Sequence, residues 1–91
     1  QVQFDITGID GNTVKPGQTA TVNPVAKRRD SGETVSVSSW EWRTQDNTGA
    51  DFTLTGKDAA TFTATSAQVS YADMERAGYG MNIYVSADVE I

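Results

Sequence analysis

The sequence predicts an all-β domain of the two-sheet sandwich class, with about seven strands and one short helical turn before the last strand. Three observations predict it. Threonine, valine and aromatic residues recur in short runs in which apolar and polar side chains alternate, the spacing that puts every second side chain on one face of a strand. Gly, Pro, Asn and Asp separate these runs, and each favours turns for its own backbone reason. The chain is 91 residues long and 37% hydrophobic, which suits a thin core filled from two facing sheets. That length allows a single domain, residues 1–91, expected to be one module of a larger protein.

In the first run Val2, Phe4 and Ile6 share a face, and the run ends near Gly8. Asp10-Gly11-Asn12 reads as a turn. Residues 14–18 read as another, with Pro16 presetting one dihedral and Gly17 free to take positive φ. Ala20, Val22, Pro24 and Ala26 then point one way, and Thr19, Thr21, Asn23 and Val25 the other. Pro24 has no N–H to give a ladder, so it belongs near the strand's end, at an edge or at a bulge. Residues 27–33 form a polar loop.

Residues 35–45 are the most informative. Val35 and Val37 are odd-numbered and Trp40 and Trp42 even-numbered, so a regular strand cannot hold all four on one face. Either a bulge or bend sits at Ser38-Ser39, the favoured reading, or the valines belong to the preceding loop. Residues 46–49 read as a turn, Phe52 and Leu54 as a short strand, residues 56–58 as a turn, and Ala60, Phe62 and Ala64 as the next strand. Ser70 and Asp73 have capping-box spacing, residues 72–77 are mostly helix formers, and Gly78 supplies a left-handed stop. In the last run Met81, Ile83, Val85, Ala87, Val89 and Ile91 alternate with Asn82, Tyr84, Ser86, Asp88 and Glu90.

Composition excludes several chemistries. There is no cysteine and no histidine, which removes disulfides, thiolate sites and every Ser-His or Cys-His nucleophile pair. The net charge of -5 disfavours nucleic acid, which rewards clustered positive charge. The basic run Lys27-Arg28-Arg29 is followed at once by Asp30 and Glu33 and reads as a solvated loop. No apolar run is long enough to span a membrane, and no signal-peptide pattern opens the chain, so any export signal is expected upstream. Nothing sets two carboxylates across a cleft, so no catalysis and no cofactor are expected.

Trp40 and Trp42 share a strand face and are expected in the core. With the outward Tyr84 they are also the candidates for stacking on a sugar ring. Tyr71 has no assignment. The acidic stretches Asp10-Gly11-Asn12, Asp30-Ser31-Gly32-Glu33 and Asp46-Asn47 with Asp51 could offer oxygen ligands to calcium. None has the spacing of a dedicated calcium loop, so Asx turns are the expected role.

The helical turn followed by Ala77-Gly78-Tyr79-Gly80-Met81 resembles the corner before strand F of immunoglobulin-like domains, where a tyrosine folds its hydroxyl back onto the connecting loop. The resemblance implies that Met81 stands where antibody-type domains carry their second cysteine, and that Trp40 or Trp42 is the core tryptophan of strand C. Four further stretches are similar to PKD-like modules: residues 14–22, Ser39-Trp40-Glu41-Trp42, residues 51–56 and Ala60-Thr61-Phe62-Thr63-Ala64. This resemblance implies a non-catalytic accessory module of a secreted or surface protein, an extracellular enzyme or an adhesin, that spaces or displays neighbouring domains. The alternatives are a module binding chitin-like or cell-wall polysaccharide, and an appendage on a phage virion surface. Such modules normally end on a further strand G, yet residues 81–91 hold no turn residue after Asn82. The terminal run is therefore expected beside a strand from another chain, from a next domain, or from residues 2–6, with strand-mediated self-association as one outcome.

Overall fold

The computed structural model describes residues 3–9 and 13–90. Seven strands and one helix follow in order: β1 (Phe4–Thr7), β2 (Thr19–Val22), β3 (Val25–Arg28), β4 (Val37–Gln45), β5 (Thr61–Phe62), β6 (Ala67–Ser70), α1 (Tyr71–Arg76) and β7 (Asn82–Val89). Every ladder is antiparallel: β1 pairs with β3, β2 with β6, and β4 with both β5 and β7. The readings that involve Val2, Asp10-Gly11-Asn12 and Ile91 lie outside the described residues.

The core lies between β2–β6 on one side and β5–β4–β7 on the other, an arrangement that fits an all-β sandwich. Val22, Trp42 and Ala67 are buried together, with Trp40, Phe62, Ile83 and Val85 packed against them. A second cluster joins Phe52, Leu54, Val69 and Ala77, with Val14, Met74 and Met81 at its margin. Sequence alternation sets which residues enter. Val22, Pro24 and Ala26 are buried, while Thr19, Thr21 and Asn23 are exposed.

At Pro24 one alternating run changes partners. The residues before it bond to β6 and those after it to β1, and a residue with no N–H suits the break. The bulge falls at Ser38-Ser39, the favoured of the two readings. Val37 faces Val89, and Ser39 faces Asp88, leaving Ser38 extra. The Ser38 hydroxyl donates to the Asp88 carbonyl at 3.0 Å, and that of Ser39 to the Asp88 carboxylate at 3.0 Å.

Ser70 caps α1, its hydroxyl accepting from the N–H of Asp73 at 3.2 Å. The helix closes with two crossed bonds, Gly78 N–H to the Glu75 carbonyl and Tyr79 N–H to the Met74 carbonyl, the Schellman pattern. Gly78 takes φ 79°, and a Cβ there would run into the Asn47 side chain. The turn at residues 46–49 is docked on this helix end, since Asn47 N–H donates to the Ala77 carbonyl.

The strand expected at Phe52 and Leu54 does not form, and one of the three placements expected for the terminal run is excluded. Phe52 and Leu54 are buried but form no strand. A bridge between Gln45 and Asp51 and a bond from Phe52 N–H to the Thr44 carbonyl attach this stretch to β4. The Thr44 hydroxyl then donates to the Phe52 carbonyl and also lies 3.1 Å from the Ala60 carbonyl, so a side chain takes up acceptors that a ladder would use. The terminal run is not covered by the first strand either, because β1 is bonded to β3.

Candidate functional surfaces

The three sugar-stacking candidates occupy three different environments. Trp42 is 0% exposed. Its ring stacks on Phe62 at 5.7 Å between centroids and 5° between planes, and its indole N–H donates to the Ala64 carbonyl at 2.6 Å. A ring with no exposed face cannot stack on a sugar, so Trp42 leaves the candidate set. Trp40 is half-buried on the same face, beside a recess lined by Ser39, Glu41, Thr63, Ser86 and Asp88. Tyr84 lies on the opposite, outer face, 55% exposed and across the ladder from Arg43. The fold does not bring these aromatics into one row.

Tyr79 departs from the corner arrangement. It is 65% exposed with φ 64°, a left-handed value that follows that of Gly78. Its hydroxyl donates to the Glu75 carboxylate at 3.1 Å, so the hydroxyl does fold back onto the helical connection while the ring stays outside the core. That bond to a carboxylate raises the phenol's pKa. The Tyr71 ring lies 6.4 Å away at 60°.

Among the described residues the buried charge is Asp73, whose side chain is 2% exposed. Sequence reading assigned it only to the helix cap. Its carboxylate accepts from Thr55 N–H at 3.0 Å, from the Thr55 hydroxyl at 2.6 Å and from Arg76 at 2.6 Å. Burial alone would raise its pKa, but the bonds from Thr55 and Arg76 outweigh that and hold it below the usual carboxylate value. The Arg76 guanidinium also sits 4.6 Å over the Phe52 ring. The spacing of Asp73 and Arg76, one helical turn apart, was the available sequence signal. This cluster ties the loop at residues 52–56 to the helix.

The acidic turns are similarly occupied. One oxygen of Asp46 accepts from the Thr48 hydroxyl at 2.6 Å, Thr48 N–H at 2.8 Å and Ala50 N–H at 3.1 Å, and these bonds lower its pKa. Asp30 pairs with Arg28 at 2.9 Å. Among the described residues no three acidic side chains gather as a metal site would require. The melting temperature is therefore expected to agree within about a degree between excess EDTA and millimolar calcium. A calcium-dependent rise of several degrees in calorimetry would show that one of these turns binds the ion.

A further concave surface is a groove of about 290 Å³ whose side chains, among them Ile9, Ala20, Val22, Val69, Met81 and Ile83, are mostly apolar, with Asn82 and Tyr84 also lining it. It lies between the strand edges of β2 and β7, each of which is paired on one side only among the described residues. Among the described residues no helix is long and apolar enough to cross a membrane. Comparison with family models, with curated proteins and with solved structures finds no match.

Proposed function

We propose that this chain is a non-catalytic, immunoglobulin-like accessory module of the PKD-like kind, spacing or displaying neighbouring domains of a secreted or surface protein. The pairing of β2 with β6 and of β4 with β7 supports the immunoglobulin-like reading, in which strand B pairs with E and C with F. The observation that carries the functional reading is how the buried polar side chains are used. Asp73 and Thr44 hold connections together, in a body with principal extents of 41 × 24 × 21 Å. An elongated, internally committed module suits a spacer, whose task is rigidity and length. Exchange of this module for an unrelated sandwich of similar length should leave the activity of the parent protein intact. Loss of that activity on exchange would overturn the spacer reading.

A second reading, polysaccharide binding, draws support from Tyr84, exposed on a flat sheet face beside Arg43. A lone ring gives a weak platform, so the module is expected in the unbound fraction when mixed with insoluble chitin or purified cell walls. Retention that disappears in Tyr84→Ala would favour the polysaccharide reading over the spacer.

A further inference from the structure

The direction of the backbone groups along β7 follows from its neighbours. Thr44 gives its N–H to the Ala60 carbonyl at 3.1 Å and accepts from Phe52 N–H at 3.0 Å, so its groups face away from β7. Glu90 N–H instead donates toward the β4 side, to the Ser36 carbonyl at 2.9 Å. Bonded and non-bonded pairs alternate along an antiparallel ladder. The pairs Thr44–Ile83, Trp42–Val85 and Trp40–Ala87 are therefore the non-bonded ones. The N–H and C=O groups of Ile83, Val85 and Ala87 point out from the free edge, and among the described residues they have no partner.

The side chains of these same residues are half-buried on the inner face. The groove opens beside Ile83, at one end of the row, toward β2, while Ala87 lines the separate recess that holds Trp40. A strand laid along β7 would meet a row of outward donors and acceptors and, at the Ile83 end, would turn its inward side chains into that groove. The opposite face of β7 carries Tyr84, Ser86 and Asp88, within a chain of net charge -5.

We propose that the free edge of β7 and the adjoining groove receive an extended segment of another protein, with apolar residues at alternate positions and polar or basic residues between them. The backbone row demands an extended strand, the groove demands apolar inward side chains, and the acidic surface favours basic outward ones. A second copy of this chain fits less well. Its β7 has already committed its inward side chains to its own core, and it brings an equal negative charge.

Amide hydrogen exchange by NMR on the unmodified domain tests this, with a soluble peptide of alternating valine and lysine as the probe. In the free protein the amides of Ile83, Val85 and Ala87 should exchange quickly, while those of Tyr84 and Ser86, bonded to β4, are protected. Saturating peptide should slow the first set at least about tenfold, and a proline-containing control peptide should not. Ala87→Pro removes an N–H that points to solvent, which an edge strand tolerates. It should leave the fold intact by tryptophan fluorescence and abolish the peptide's effect. Three results would each overturn the proposal: no protection at millimolar peptide, full protection in the free protein at every concentration, or protection that grows with the protein's own concentration. The last would assign the edge to a second copy.

Discussion

Trp42→Ala is expected to remove about 3–5 kcal/mol of folding stability, the largest loss from any single truncation here. The ring fills the centre of one core cluster at 0% exposure, and neither facing sheet can close over a void that large. Phe62, on the two-residue strand β5, loses its stacking partner, and the Ala64 carbonyl loses its donor. Such a loss is a large share of the roughly 5–15 kcal/mol that holds a domain folded. Trp42→Phe keeps much of the apolar volume and is expected to lose clearly less. Urea unfolding followed by circular dichroism gives both values. In the unmodified protein acrylamide should separate the indoles, with Trp42 shielded and the half-buried Trp40 partly accessible. Free quenching of both in the native state would contradict this core.

Asp73 is expected to dominate acid sensitivity. Its pKa is depressed in the folded state, chiefly by Thr55 and Arg76 acting against burial. The stabilisation is thus fully present above the unfolded value of about 3.9 and fades as pH falls through the lower, folded value. Other lowered carboxylates, Asp5, Asp30 and Asp46, lie at the surface, where solvent screens their partners. Asp73→Ala should cost about 2–3 kcal/mol at neutral pH, because Thr55 loses its acceptors while Arg76 keeps access to water. Melting temperatures recorded between about pH 2 and pH 6 check the sign. The unmodified domain should lose stability toward the acid end, and Asp73→Asn should show a shallower fall. An unchanged acid limb in Asp73→Asn would assign the sensitivity elsewhere.

What the sequence made legible was mostly a matter of parity. Odd valines followed by even tryptophans favoured an extra residue at Ser38-Ser39 over a loop holding both valines. The ladder register slips there, while Val35 lies before β4 and bonds to Ala26. Ser70 and Asp73 announced a cap, and the cap formed. Alternation tells which side chains are buried, however, and says nothing about which backbone lies alongside. Residues 19–26 therefore read as one strand although Pro24 divides them between two ladders, and Phe52 and Leu54 read as a strand although Thr44 intercepts their pairing. Trp40 and Trp42 share parity but not depth, because Trp40 lies nearer the bulged end of β4. The groove beside β7 was not legible, since it is defined by two edges that meet only after the sheets pack.

The ladder between β4 and β7 also sets when the protein can fold. Its partners, such as Trp42 and Val85, lie about forty residues apart, which places the domain among chains dominated by distant pairings that fold in milliseconds to seconds. At a synthesis rate of about 5–20 residues per second, β4 leaves the ribosome on the order of a few seconds before β7 is complete. Through that interval the Trp42 face of β4 has neither its neighbouring strand nor the full facing sheet over it. The exposure to misassociation is therefore greatest in the nascent chain, and it ends when the last strand arrives.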